Sequence, residues 1–81
     1  MKIRAHFYAQ LRDLAGVEEV DVDLAEGSTI ADLLENIYKQ KPALRARDKS
    51  ILVGAGVEFV DRNYVLKPGE EISIMPPVQG G

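Results

Sequence analysis

Two segments near the start of the chain alternate between apolar and polar residues. In residues 2–8 the odd-numbered positions are all apolar, and in residues 20–24 three apolar side chains alternate with two aspartates. A period of two predicts half-buried strands, and two successive ones predict an antiparallel hairpin. Between them, residues 10–14 are too few for a stable isolated helix and predict only a helical turn.

An amphipathic helix is predicted after this hairpin. Its apolar residues recur at spacings of three and four, which is the period of one helical face. This stripe consists of Ile30, Leu33, Leu34, Ile37 and Tyr38. Thr29 and Asp32 stand three residues apart at its start, as in a capping box. Pro42 predicts that the helix ends before it.

The second half of the chain predicts two or three further strands. Residues 50–60 are rich in β-branched residues but contain two glycines, which predicts a strand, a tight turn and a short strand. Turn-forming residues follow, and a last alternation of isoleucines with polar residues predicts a final strand. Pro76 and Pro77 end it, because proline cannot donate a backbone hydrogen bond to a sheet.

This order of elements predicts an α+β fold in which a mixed four- to five-stranded sheet packs on one main helix. A hairpin, a helix laid across the sheet and a return strand form the β-grasp, or ubiquitin-like, arrangement. We expect residues 1–75 to form this domain and residues 76–81 to form an extended C-terminal tail. The helix stripe is expected to meet Ile3, Phe7, Val20, Val22, Ile72 and Ile74.

Composition limits the chemistry that side chains can perform. The 81 residues include no cysteine and one histidine, so neither a typical structural zinc site nor a Cys–His pair can form, and no metal site is predicted. A Ser–His–Asp triad would have to use His6, which we expect to be a solvated surface residue on a strand. No apolar run approaches the roughly 18 residues of a membrane span, and the N-terminus lacks a signal-peptide pattern. We therefore expect a cytoplasmic protein that does not associate with membranes.

Charge is distributed unevenly around a net value of −3. Residues 18–35 are acidic without a basic residue, and residues 39–49 contain five basic residues and one aspartate. Nucleic-acid binding would normally come with a basic domain and interleaved aromatic residues, which are absent here, so no nucleic-acid partner is predicted. The basic segment instead indicates a solvated loop or a steering surface for an acidic protein.

The last six residues carry the most distinctive pattern. They are Pro76, Pro77, Val78, Gln79, Gly80 and Gly81. Adjacent prolines favour an extended path, and the four residues beyond them can reach roughly 13 Å at about 3.3 Å each. Glycines lack a Cβ and can therefore enter a narrow channel. The pattern predicts a thin arm whose working group is the α-carboxylate of Gly81.

The sequence resembles the MoaD/ThiS family of ubiquitin-like sulfur carriers over essentially its whole length, and most of all the small subunits of molybdopterin synthase. The similar segments are FYAQLRDLAG at 7–16, TIADLL at 29–34, LKPGEEI at 66–72 and PPVQGG at 76–81. The double proline before Val-x-Gly-Gly resembles the molybdopterin branch more than the thiamin branch. One departure is Ala55-Gly56-Val57, where members of the family commonly have a Val-Asn-Gly turn.

The resemblance implies that a ubiquitin-activating-like enzyme adenylates the carboxylate of Gly81 with ATP and Mg²⁺, while this chain itself binds no cofactor. Sulfur would then replace the adenylate and leave a thiocarboxylate. The tail would enter the active site of the large subunit of molybdopterin synthase, which forms the dithiolene of molybdopterin. The chain would thus be the sulfur-donating, non-catalytic subunit of a sulfurtransferase complex. The lack of cysteine agrees, because the chain cannot carry sulfur as a persulfide.

A surface for these partners is predicted on the solvent face of the sheet. Strand parity places Tyr8 and Met75 there, together with Phe59 if its strand pairs in the expected register. Large apolar side chains grouped beside the exit of the tail are typical of a protein-docking surface.

Three alternatives remain open at the level of the sequence. The chain could carry sulfur for another pathway, such as thiamin synthesis or tRNA thiolation. It could be a ubiquitin-like modifier that is joined to target lysines through Gly81. It could also be an interaction domain whose tail performs no chemistry.

Overall fold

The computed structural model describes residues 1–77. Its elements in chain order are β1 (Lys2–Phe7), α1 (Gln10–Ala15), β2 (Glu19–Asp23), α2 (Ile30–Gln40), a 3-10 helix (Pro42–Ser50), β3 (Leu52–Ala55), β4 (Glu58–Val60) and β5 (Glu71–Met75). The strands form one sheet in the order β2-β1-β5-β3-β4. Strand β5 is parallel to β1 and antiparallel to β3, so the sheet is mixed, as the sequence predicts.

The first two strands form the predicted antiparallel hairpin, in which Ile3 pairs with Val22. The segment between them is a six-residue helix, α1, rather than the single helical turn expected from its length. Tertiary packing explains the difference, because Leu11 and Ala15 are buried in the core. The helix ends at Gly16, whose φ of 77° is the left-handed conformation that glycine adopts without strain.

Helix α2 begins with the capping box that the sequence predicts. The backbone N–H of Asp32 donates to the hydroxyl of Thr29, and the backbone N–H of Thr29 donates to the Asp32 carboxylate at 2.9 Å. Every apolar residue of the predicted stripe is at most 3% exposed, from Ile30 to Tyr38. The stripe packs in one core with the inward side chains of the sheet. Of the strand residues expected there, only Val20 is half-buried rather than buried.

The basic segment after α2 has exposed basic side chains, as its charges indicate, but it is not a loop, and its role as a steering surface stays a prediction. It is the 3-10 helix, and Leu44 in its middle is fully buried. Asp48 accepts hydrogen bonds from the Tyr38 hydroxyl and from the Arg62 guanidinium, which also donates to the backbone carbonyl of Ile51 at 3.2 Å. These bonds tie the 3-10 helix to α2 and to the turn after β4. One buried leucine and one aspartate therefore fix a segment whose composition is otherwise that of a loop.

The hairpin between β3 and β4 turns through two residues, since Ala55 pairs with Glu58. Gly56 lies in this turn with a φ of 63°, so it supplies the left-handed conformation for which asparagine is otherwise suited. The departure from the Val-Asn-Gly pattern is thus compatible with a tight hairpin. Within residues 1–77, none of the helices is both long and apolar enough to cross a membrane.

Candidate functional site: the outer face of the sheet and the start of the tail

The sheet has one face covered by α2 and one open face, here called the outer face. Ile72 and Ile74 of β5 are completely buried toward α2. Because side chains alternate along a strand, Ser73 and Met75 lie on the outer face. Gly54 pairs with Ser73 on one side and with Phe59 on the other. Paired residues share a face, so the register that was uncertain from the sequence places Phe59 on the outer face.

The structure brings Phe59 and Met75 together around a small depression. Phe59 is 69% exposed, whereas Met75 is half-buried rather than fully exposed. The depression, here called the hollow, has a volume of about 180 Å³. Its lining residues are Gly54, Gly56, Val57, Glu58, Phe59, Ser73 and Met75. Two of the three residues predicted for a docking surface therefore form its walls.

Tyr8 lies on the same sheet but outside the hollow. It follows β1 directly, is 47% exposed, and donates its backbone N–H to the carbonyl of Ile74 at 3.1 Å. Strands β5 and β3 separate β1 from β4, so Tyr8 and Phe59 are roughly 14 Å apart at about 4.8 Å per strand. The predicted patch consequently has two parts, with Met75 between them.

The tail begins at the centre of the sheet. Strand β5 is the middle strand of the five and leads from Met75 directly into the half-buried Pro76 and the exposed Pro77. The two prolines line a groove of about 170 Å³ whose other walls come from α1 and from the end of the 3-10 helix. The remaining tail residues, Val78, Gln79, Gly80 and Gly81, lie outside the described residues. The expectations for the tail and for the boundary at residue 75 remain predictions.

A ladder of charges covers the other half of the outer face. Arg4 contacts Asp21 at 2.9 Å and Glu19 at 3.2 Å, and its hydrogen bond holds the pKa of the Asp21 carboxyl below its usual value. His6 is not freely solvated, because its Nε2 lies 2.6 Å from a carboxylate oxygen of Glu71. Sequence reasoning missed this pairing because Glu71 is 65 positions away along the chain. The basic positions of β1 and the acidic positions of β2 signal the contacts of Arg4, but they give no indication of Glu71, which lies on β5.

These features describe a surface rather than a reaction centre built from side chains. In the part of the chain that the structure describes, no three or more His, Cys, Asp or Glu side chains are grouped so that they could hold a metal ion. What residues 1–77 present is an exposed apolar region, a flanking charged region and the start of an arm at the end of the central strand. Such an arrangement can bind another protein and direct the arm toward it.

A five-stranded mixed sheet in this order, with one long helix across a single face, defines a ubiquitin-like β-grasp protein. The sequence profile of the ThiS family matches residues 5–81. The chain belongs to that family.

Known proteins are similar along the whole chain. The molybdopterin synthase sulfur carrier subunit of Chlamydomonas reinhardtii is 35% identical, and the alignment covers 100% of both chains. Among solved structures, SAMP1 of Haloferax volcanii, a small archaeal modifier protein, superposes with a TM-score of 0.89 at 28% identity and covers 100% of both chains. A complex of subunits 1 and 2 of the molybdopterin-converting factor of Helicobacter pylori contains a chain with a TM-score of 0.70 at 23% identity, again over 100% of both chains. At that identity the similarity shows the fold alone.

Proposed function

We propose that this protein is the sulfur carrier subunit of a molybdopterin synthase. The observation that carries the proposal is the 35% identity to the algal sulfur carrier subunit over the full length of both chains. The fold supports this proposal, because the last strand of the β-grasp domain, β5, is the central strand of the sheet and is followed directly by the Pro76-Pro77 arm.

In the proposed reaction the carboxylate of Gly81 is the group that changes. One carboxylate oxygen attacks the α-phosphorus of ATP and releases pyrophosphate, which leaves an acyl-adenylate. A sulfur nucleophile at the oxidation level of sulfide then attacks the carbonyl carbon, the C–S bond forms as the bond to AMP breaks, and a thiocarboxylate results. Adenylation is needed because a free carboxylate is a poor acyl donor. ATP and Mg²⁺ would be bound by a ubiquitin-activating-like enzyme and not by this chain.

The outer face is proposed as the surface on which the partners dock. Its support is the 69% exposure of Phe59, its place beside Met75 in the hollow, and the position of Met75 at the end of β5 that leads into the tail. A large subunit of molybdopterin synthase is the second proposed partner after the activating enzyme. The Helicobacter pylori structure, by its description, holds subunits 1 and 2 of the molybdopterin-converting factor in one complex. We place this chemistry in the cytoplasm.

A second candidate function is covalent protein modification. It is favoured by the similarity to SAMP1, a protein described as a small archaeal modifier. In that case the acyl group of the Gly81 adenylate would be transferred in the end to a lysine amine with release of AMP, which forms an isopeptide bond. Both functions share the first step and differ in the nucleophile that follows.

Intact-mass measurement of the protein purified from its native cells separates these functions. A carrier is expected to show a fraction whose mass has increased by the exchange of one oxygen for sulfur, located on the C-terminal peptide. A modifier is expected to appear as a branched adduct on lysines of other proteins. A terminus that stays an unmodified carboxylate, in cells that are actively making molybdopterin, would contradict the proposal.

A further inference from the structure

The hollow on the outer face has an unusual floor. Gly54 is buried there within β3, between Ser73 of β5 and Phe59 of β4. A Cβ added at Gly54 would lie 3.2 Å from the terminal methyl of Met75, which is closer than most methyl carbons approach one another. The methyl of Met75 therefore lies over Gly54, and Met75 and Phe59 border the space of the hollow that remains.

This space has the size and lining of a pocket for one side chain. It is an open depression rather than an enclosed cavity, and its volume of about 180 Å³ leaves room for one apolar side chain. The exposed ring of Phe59 and the flexible thioether of Met75 form its sides, and thioethers adapt well to aliphatic and aromatic neighbours. Pockets that take one apolar anchor are where protein interfaces concentrate their binding energy.

The charges beside the hollow limit the partner further. The outer face of β1, β2 and β5 carries four carboxylates and two permanent cations. They are Glu19, Asp21, Asp23 and Glu71 against Lys2 and Arg4. Arg4 contacts Glu19 and Asp21, and the His6 ring lies 2.6 Å from Glu71, so a cation of the partner would share Glu71 with His6. Glu71 is one same-face position from Ser73, which lines the hollow, so the acidic strip begins next to the pocket.

We infer that the hollow over Gly54 receives one apolar side chain of the large subunit, and that lysine or arginine side chains next to that anchor contact the acidic strip. The inference rests on the proposed function for the identity of the partner. Beyond that function it assigns Gly54 as a specificity-determining residue, since a Cβ there would push the Met75 methyl into the space of the anchor.

The variant Gly54→Ala tests this with little disturbance of the fold. Gly54 is not in the left-handed region, and apart from the movable Met75 methyl the new Cβ meets only ordinary contacts, at 3.6 Å and 3.7 Å. The affinity for the purified large subunit of the same organism, measured by titration calorimetry, is expected to fall about tenfold, as for the loss of one interface anchor. The control is Val65→Ala, at a residue that is 55% exposed and does not line the hollow, whose affinity should match the parent.

A second measurement observes the hollow directly. The chain has two methionines, and Met1 precedes β1 at the end of the sheet opposite to Met75, because β1 and β5 are parallel. In protein labelled with ¹³C at the methionine methyls, addition of the large subunit should shift the Met75 signal and leave that of Met1 unchanged. Glu71→Gln should weaken binding about twofold at low salt and reduce the dependence of affinity on ionic strength.

The outcomes separate the two claims. If the parent binds the large subunit while Gly54→Ala binds equally well, or while the Met75 methyl stays unperturbed, the inference about the hollow is wrong and the proposed function stands. If the parent does not bind the large subunit at all, the proposed function fails and the inference fails with it.

Discussion

Truncation of two adjacent leucines of α2 should have clearly different costs. Leu33 is completely buried, whereas Leu34, at 2% exposure, lines a surface depression of about 280 Å³ beside Tyr38. Buried leucine-to-alanine changes cost about 2–5 kcal/mol, and the cost grows with the cavity that remains. The space left by Leu34→Ala opens toward solvent and can be filled by water or by neighbouring side chains, so we expect about 2–3 kcal/mol. Leu33→Ala leaves an enclosed cavity, and we expect about 3.5–5 kcal/mol.

These costs are large for a domain of this size. At about 0.05–0.15 kcal/mol per residue, 81 residues correspond to roughly 4–12 kcal/mol of total stability. Urea unfolding followed by far-UV circular dichroism measures both variants, since the chain has no tryptophan for fluorescence. Val65→Ala, at an exposed position, should stay within about 0.5 kcal/mol of the parent. Equal costs for the two leucines, or a larger cost for Leu34, would refute the reasoning about the cavities.

Three further predictions concern the Asp48 cluster and the outer face. Burial, and next the hydrogen bond to Asp48, raise the pKa of the Tyr38 hydroxyl from 10.0 to about 12. The free energy of unfolding should therefore be unaffected by this group below pH 10 and should fall between pH 10 and 12. In urea titrations across this range Tyr38→Phe should lack that part of the decline, and a pH profile identical to that of the parent would contradict this prediction. Arg62→Ala should cost about 1–3 kcal/mol in urea unfolding, because it removes the donor of the Ile51 carbonyl and one of the two donors of both the carboxylate and the backbone carbonyl of Asp48. An unchanged unfolding midpoint would count against the cluster. Phe59→Asp and Met75→Asp should each weaken binding to the activating enzyme and to the large subunit by at least tenfold while the circular dichroism spectrum is retained, and undiminished affinity of both would refute the docking surface.

The sequence predicted the fold well wherever periodicity and local chemistry agree. The stripe from Ile30 to Tyr38 and the Thr29–Asp32 capping box mark α2 without reference to the rest of the chain, and the structure confirms both. The alternation around Ile72 predicted β5 in the same way. In these segments the spacing of the apolar residues predicts the type of element and also defines the face that is buried in the core.

Contacts between distant residues could not be predicted in this way. The 3-10 helix depends on Leu44 and on the bonds of Asp48 to α2 and Arg62, and α1 depends on burial of Leu11. None of these partners is visible from local composition. The position of the hollow likewise depends on how β3 pairs with β4 and β5. The sequence does not determine this register, because the two glycines of that region interrupt the alternation.

ATP–pyrophosphate exchange with the activating enzyme is the measurement that shows whether the α-carboxylate of Gly81 is the reacting group. Deletion of Gly81 retracts the carboxylate by about 3.5 Å, and a misplacement of about 1 Å can already cost 10²-fold in rate. Neither this deletion nor one appended alanine changes the core, so both variants should unfold like the parent within about 0.5 kcal/mol. The parent is expected to support exchange, whereas both variants are expected to be folded and able to bind the enzyme but not to support exchange. Exchange by the Gly81-deleted chain at the rate of the parent would contradict it.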